Sequence, residues 1–323
     1  MANILCAGTA VLDEVFRVRA FPTPDTKAEA SEFITIGGGC AANAAVAIAR
    51  LGGKVRLAVP LGGPAGSDVI GDRLIDGLQS EGVDCTDCVR IPGARTPVSA
   101  IFIDAHGDRT IATYRDRRLD AVTPDDPDRL IAAVDAVLVD NRFSDFVVPI
   151  GRAARVRRIP LVIDADKPSP DRHPLFEAAT HVIFSSECLR ATAGTDDLAA
   201  GLAHMRRFTN AFLAVTDGPN PVLWRDRDCG TIREMPVFAS ETVDTLGAGD
   251  VFHGAFTLAL VEGREAKGAL RFAAAAAGLK CSRFGGSTAA PRRTEVDALL
   301  AHPEPAHMVR PQPEQNIILF FAI

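Results

Sequence analysis

Val243-Asp244-Thr245-Leu246-Gly247-Ala248-Gly249-Asp250-Val251-Phe252-His253-Gly254-Ala255-Phe256 sets a run of small residues directly before an apolar pattern of helical spacing. The apolar positions Val251, Phe252, Ala255, Phe256, Ala259 and Leu260 recur as one helix face requires. Gly247, Ala248 and Gly249 leave little bulk around their backbone N–H groups. A glycine-rich turn that opens a helix aims those amides and the positive end of the helix dipole at one point, a natural seat for phosphate. Asp250 falls in the first turn, beside that seat. A carboxylate there repels phosphate, so its chemical reading is acceptance of a proton from an attacking hydroxyl. The plain alternative is a helix start with an ordinary first-turn acid.

A second such segment lies nearer the beginning, at Gly37-Gly38-Gly39-Cys40-Ala41-Ala42-Asn43, and runs on through alanines to Leu51-Gly52. Asn43 is the single polar residue in the opening turns of this helix. It reads either as part of a closely packed alanine helix start or as a hydrogen-bonding partner for a polyhydroxylated ligand.

Between and around these segments, short apolar runs alternate with helical patterns. Strands are predicted at Ile4–Ala7, Val55–Val59, Ala136–Val139, Leu161–Ile163, Val182–Phe184 and Phe212–Val215, and helices at Ala41–Leu51, Ser67–Glu81, Val147–Arg157 and Leu198–Phe208. Continuous apolar strands separated by helices indicate an α/β fold with a mostly parallel sheet covered on both faces. Two regions, Val15–Ile36 and Pro97–Tyr114, instead alternate apolar and polar residues, with His106-Gly107-Asp108 as the turn inside the second. They read as a small antiparallel lid over a cleft. One domain is therefore expected over residues 1–302, with the lid at about 14–36 and 96–116, followed by a Pro-rich tail at 303–323 of open purpose.

The chain has 323 residues, 47% hydrophobic, and Asp+Glu 41 exceed Lys+Arg 35. That balance, without a dense basic run, excludes a nucleic-acid binder. No apolar run reaches the length of a membrane span, the start lacks a signal-peptide layout, and a cytoplasmic protein is expected. The seven cysteines, including the lone pair Cys85 and Cys88, fit reduced thiols and not a disulfide framework or a zinc site.

Together the two glycine-rich segments resemble the signatures of the PfkB (ribokinase-like) carbohydrate kinases. The first, G-G-x-x-x-N with an alanine helix and L-G, is matched by Gly38, Gly39, Asn43, Leu51 and Gly52. The second, D-T-x-G-A-G-D-x-F-x-G, is matched by Asp244, Thr245, Gly247, Ala248, Gly249, Asp250, Phe252 and Gly254. Gly8 with Asp13, and Val215-Thr216-Asp217-Gly218, fall in the family's order, so the resemblance runs from about residue 3 to 300. Pieces such as Asp250-Val251-Phe252-His253-Gly254, Leu279–Gly286 and Val139–Arg142 look closest to the ketohexokinase and sulfofructose kinase branch.

The resemblance implies a ribokinase-like three-layer α/β/α fold and an ATP-dependent sugar kinase. Asp250 would be the base, and the amides of Gly247, Ala248 and Gly249 the anion hole. Asp13, Gly38, Gly39 and Asn43 would hold sugar hydroxyls, with Thr216 and Gly218 along the nucleotide and Ala274–Gly278 beside the adenine. Mg²⁺ would bridge the phosphates. The family's N-x-x-E element for that ion is absent here, where Ser185-Ser186-Glu187-Cys188 stands. Glu187, Asp244 or other acids such as Asp164 and Asp166 would then serve. K⁺, which many relatives bind beside the anion hole, would meet carbonyls near Asp244, Leu246, Cys281 and Gly286. Lys27 and Arg142 would grip an anion-bearing fructose, Arg115 is a further basic candidate, and lid pairing would make a homodimer. A ketose or anionic fructose derivative is favoured over ribose, a nucleoside or a 2-keto-3-deoxy sugar acid, and over a sensor without catalysis.

Overall fold

In the computed structural model, residues 2–105, 109–226, 230–238 and 241–301 are described. The expected turn at 106–108, Cys229 and the tail at 303–323 lie outside them.

Among the described residues fourteen strands follow one another. They are β1 (Asn3–Ala7), β2 (Val11–Val18), β3 (Ala30–Gly38), β4 (Lys54–Ala58), β5 (Pro60–Gly62), β6 (Val89–Ile91) and β7 (Val98–Ile103). After these come β8 (Arg109–Tyr114), β9 (Ala136–Asp140), β10 (Leu161–Ala165), β11 (His181–Ser185), β12 (Phe212–Asp217), β13 (Asn220–Arg225) and β14 (Arg233–Met235). Eight of them make the main sheet, in the order β14-β13-β12-β11-β10-β9-β1-β4. From β12 across to β4 every pair is parallel, and β13 and β14 close one edge antiparallel.

The alternation of side chains across the pleat separates two cores. Ile4, Cys6, Leu138, Val162, Ile183 and Ala214 face the layer that holds helices Cys40–Arg50, Ala248–Val261 and Ala266–Cys281. Leu5, Ala7, Val137, Val139, Ile163 and Val215 face the opposite layer, with helices Ser144–Val156, Ser186–Ala193 and Leu198–Met205. This is the three-layer α/β/α arrangement expected. Because β1 sits between β4 and β9, the chain order reverses there, and a crevice opens beyond the carboxyl ends of β1 and β9, where ligands gather in such sheets.

The lid is the separate four-stranded sheet β3-β2-β7-β8. It consists of two antiparallel pairs, β2/β3 and β7/β8, joined through a parallel β2/β7 contact. Register sets Asp13 opposite Ser99, and Ser99 opposite Thr113, so one polar band crosses one face of the lid. That face also carries Val15, Ile34, Ile36 and Ile101, which pack on Leu246 and Phe284 from the main body. The small sheet thus lies against the turn that opens the Ala248–Val261 helix.

Helices Cys40–Arg50 and Ala248–Val261 are buried nearly all round, as their alanines and apolar residues demand. They cross so closely that a Cβ on Gly254 would stand 2.6 Å from the Ala44 carbonyl oxygen. Gly254→Ala is expected to lower the melting temperature by several degrees, because backbone on both sides leaves the methyl no room. Thermal unfolding of the variant beside an exposed control such as Gly77→Ala, whose Cβ meets nothing within 4 Å, checks this.

Candidate active site

Gly247, in a left-handed conformation at φ 77°, caps the Ala248–Val261 helix, and Asp250 follows in the first turn. First-turn amides of a helix have no acceptor one turn back, and Gly249 here is exposed toward solvent. The Ala248 amide differs from expectation: it donates to the Thr245 carbonyl at 3.1 Å, which closes the turn and draws that N–H away from an incoming anion.

Across the helix crossing, Asn43 Nδ2 donates to Asp250 Oδ2 at 2.7 Å. The other end of the same amide, Asn43 Oδ1, is buried without a hydrogen-bond partner. An orphaned acceptor of this kind costs stability unless something donates to it. Asp13, also buried, approaches from the lid strand β2, near enough for the Asp250 charge to act on it. Gly38 lies on the neighbouring strand, and any side chain there would overlap Asp13 Oδ2. Asp250, Asn43, Asp13 and Gly38 therefore meet as the motifs implied, with Gly39 opening the Cys40–Arg50 helix.

The surroundings are strongly acidic. Asp140, at the end of β9, accepts from the Thr9 amide at 2.6 Å and the Thr9 hydroxyl at 2.8 Å, pinning the exit of β1. Cys40 Sγ and one oxygen each of Asp164 and Asp250 lie within 4.8 Å of one another. Burial, then the charges of Asp250 and Asp166, push Asp164 well above the usual carboxylate range. Burial raises Asp250 as well, against the Asn43 hydrogen bond that pulls it down. Burial also pushes the Asp13 carboxyl up to about 7, with Ser99 opposing and Asp250 reinforcing the rise. His253 bridges to this group: its Nε2 is 3.5 Å from Asp164 Oδ1, and its Nδ1 contacts the Gly249 carbonyl at 2.7 Å.

Four expected assignments are corrected. Lys27 sits in the exposed loop between β2 and β3, away from the cluster, because that loop projects from the end of the lid. Arg115 is exposed, pairs with Asp120 at 3.3 Å and lies over the Phe143 ring. Glu187 points outward, since the helix Ser186–Ala193 turns Cys188 and Leu189 to the core and uses Ser185 as its N-cap. The Asp244 carboxylate is already engaged: Oδ1 accepts from the Leu246 amide at 2.8 Å, and Oδ2 from the Gly286 amide at 3.1 Å and from Lys280 Nζ at 2.9 Å. Asp244 is therefore not free in this arrangement to take a divalent ion, and Glu187 faces solvent.

Arg142 does reach the site, where it pairs with Asp166. Thr216 is the last residue but one of β12, beside β11, with its hydroxyl 3.4 Å from the Phe184 carbonyl, and Gly218 makes the exposed turn into β13. Sequence reasoning missed three residues. Arg109, from lid strand β8, donates to Thr245 Oγ1 at 2.7 Å, and His253 and Lys280 lie buried beside the motif. All three stood in segments already quoted, Arg109 in the lid, His253 in the opening motif and Lys280 in Leu279–Gly286, but nothing in their local sequence gave them a role.

The profile of the pfkB family of carbohydrate kinases matches residues 1–293. The chain belongs to this family. Ribokinase from Bacillus subtilis is 29% identical over 305 residues, spanning 93% of this chain and 100% of that one. A crystal structure from Agrobacterium tumefaciens, provisionally assigned as a ribokinase, superposes with a TM-score of 0.88 at 36% identity, covering 93% of this chain and 97% of the other. Arabidopsis thaliana ribokinase, solved with ribose and ATP, shares the fold at a TM-score of 0.81 and 21% identity, over 94% of this chain and 99% of its own. As a pfkB carbohydrate kinase the protein is a phosphotransferase that acts on a hydroxyl group. Among the described residues no helix is long and apolar enough to cross a membrane.

A raised carboxyl holds its proton at pH values where an ordinary one has lost it. If Asp13 accepts from a sugar hydroxyl, kcat/KM for the sugar will fall as pH drops below about 7, and Asp13→Asn will lose that limb of the profile. The folded protein binds this proton more tightly than the unfolded chain does, so the contribution of Asp13 to stability declines as pH rises from about 4 to about 7. Asp13→Asn should therefore melt higher than wild type at pH 8, and an unchanged melting point would count against the burial argument.

Proposed function

We propose that the protein is an ATP-dependent sugar kinase that phosphorylates a primary hydroxyl, with Asp250 as the general base. The observation that carries this reading is the 2.7 Å contact between Asn43 Nδ2 and Asp250 Oδ2, with Asn43 Oδ1 left unsatisfied beside it. A sugar hydroxyl donating to Asn43 Oδ1 would set a neighbouring hydroxyl against Asp250. Asp13 and the backbone at Gly38 and Gly39 would orient the rest of the ring. Asp250 then takes the proton as the oxygen attacks the γ-phosphorus, and the free amides of Gly247 and Gly249 stabilise the charge on the transferring group. Thr216 and Gly218 lie along the nucleotide in this reading, and the partly exposed Ala277 and Gly278 beside its base.

Mg²⁺ neutralises charge on the ATP phosphates when it is bound. This ion takes one or two carboxylates together with substrate oxygens, not thiols, so Cys40 is unsuited to it. Asp164 and Asp166, next to Asp250, are the acids that fit that role.

The substrate we favour is a neutral ketose. Arg142 is already balanced by Asp166, and Lys27 stands apart, which weakens the case for an anionic fructose derivative. The branch likeness read from Leu279–Gly286 supports a ketose, and the full-length similarity to a ribokinase supports ribose as the second reading. Initial rates with ATP across ribose, fructose, fructose 6-phosphate, sulfofructose, 2-keto-3-deoxygluconate and adenosine decide among these. Turnover of the anionic sugars alone would overturn the preference for a neutral one. With the accepted sugar, Asp250→Asn is expected to lower kcat by roughly 10² to 10⁴ while KM changes little. Equal turnover by wild type and variant would remove Asp250 from the role of base.

A homodimer through the lid belongs to the same proposal. Phe33, Ile111 and Tyr114 stand exposed on the lid strands, with the Phe33 ring tilted against Phe16 at 4.9 Å between ring centroids. Sedimentation at micromolar concentration should show a dimer that Phe33→Glu with Tyr114→Glu dissociates; a monomeric wild type would refute it.

A further inference from the structure

The turn before the catalytic helix is held from beneath by a buried cation of the chain itself. Lys280 lies in the last turn of the Ala266–Cys281 helix and is 0% exposed. Its Nζ donates to the Asp244 carbonyl at 2.7 Å and touches Asp244 Oδ2 at 2.9 Å. The same Oδ2 accepts from the amides of Gly285 and Gly286 at 3.2 and 3.1 Å, and Oδ1 from the Leu246 amide at 2.8 Å. The Cys281 carbonyl is likewise engaged, by the amides of Val243 and Asp244 at 2.8 and 3.1 Å. Of the oxygens that resemblance offered to K⁺, those of Asp244 and Cys281 already have donors.

A potassium ion and an alkylammonium carry the same single charge and seek the same donors, carbonyl and carboxylate oxygens. They cannot occupy one set of oxygens together. A second positive group, the Arg109 guanidinium, reaches the same turn at Thr245 Oγ1, so a further cation there would meet repulsion from two sides. Burial lowers the Lys280 pKa, and the Asp244 carboxylate opposes that fall. Both of its contacts are to acceptors, which suits the protonated form. The residues present therefore do not fit a bound monovalent cation.

We infer that the Lys280 ammonium takes the place of that cation, fixes the Asp244–Gly247 turn beside the phosphate seat, and makes the kinase independent of K⁺ and Na⁺. Lys280 is a positioning residue in this role, since it acts through Asp244 and the turn and not on the reacting atoms. The inference rests on the phosphotransfer reading for its effect on rate, but its effect on cation binding does not.

The experiment compares wild type with Lys280→Met in tetramethylammonium buffers, adding KCl, NaCl or NH₄Cl at matched ionic strength. Wild-type initial rates with Mg-ATP and the accepted sugar should change less than twofold on adding any of these salts. Lys280→Met should lose about tenfold to hundredfold in kcat without added cation, and K⁺ or NH₄⁺ should restore much of it. Melting curves give a reading that needs no activity. Wild type should show no K⁺-specific shift over tetramethylammonium, whereas Lys280→Met should gain one, because K⁺ now enters beside Asp244. A wild type activated tenfold by K⁺, or stabilised by it specifically, would overturn the inference. So would a folded Lys280→Met that shows no K⁺-specific change in melting. Should that variant not fold, the wild-type salt series decides alone. If no sugar is phosphorylated, the functional reading fails while the melting series still decides the cation question.

Discussion

The contact on which the rest depends is the crossing of two helices through Ala44 and Gly254. A backbone carbonyl lies where a Cβ of residue 254 would stand, so the helices approach nearer than ordinary side chains permit. Asn43 is the neighbour of Ala44, and Asp250 precedes Gly254 by one helical turn. The close crossing is what lets Asn43 Nδ2 reach Asp250 Oδ2 at 2.7 Å. The alanines of the first helix and the small residues of the second are thus parts of one packing solution, and the polar pair is its product. Widening the crossing by a methyl group would separate Asp250 from Asn43.

Electrostatics around that pair run against intuition for a protein that handles phosphate. Asp13, Asp140, Asp164, Asp166 and Asp250 gather at the strand ends, and Asp13, Asp140 and Asp164 are buried. Each raises its neighbours' affinity for protons, and burial raises it further. Asp13, pushed by burial up to about 7, is the member of the cluster best suited to exchange a proton near neutral pH. The opposing charge is Arg142 on Asp166, while burial lowers the pKa of His253, which stands beside Asp164. The phosphate seat, by contrast, is neutral backbone with cations behind it, Lys280 at Asp244 and Arg109 at Thr245. The acidic and the anion-binding halves of the site are kept apart by the single turn Gly247–Gly249.

The lid adds a second constraint. Its inner face presents apolar residues to Leu246 and Phe284 and a polar band to the cleft, because register alternates them along each strand. Asp13 belongs to that band. Movement of the lid would therefore move the Asp13 carboxyl and the support of the Gly247–Gly249 turn together, and Arg109 reaching Thr245 links the same two parts from another strand. The parallel β2/β7 pair at its centre shows how the lid was assembled, from two strand pairs supplied by separate stretches of chain.

The sequence by itself determined the layered α/β body and the lid strands, and the family resemblance put forward Asp13, Asn43 and Asp250, which the fold brings near one another. These are local matters: apolar runs become strands, alternation becomes a half-buried sheet, and a glycine turn before an apolar helix carries its chemistry in adjacent residues. What it could not determine is which charges are in use. Lys27, Arg115 and Glu187 carry the right chemistry in plausible segments, yet loop projection and helix phase turn them to solvent. Asp244 looked available and proved to be saturated by amides and an ammonium from elements about forty residues away. Lys280 gave the opposite error. A lysine in the last turn of a helix reads as a solvated charge facing the dipole, and only the passage of the Val243–Leu246 turn across that helix end buries it. Pairing and burial of charge are properties of elements brought together in space, and for that reason the tertiary structure alone decided them.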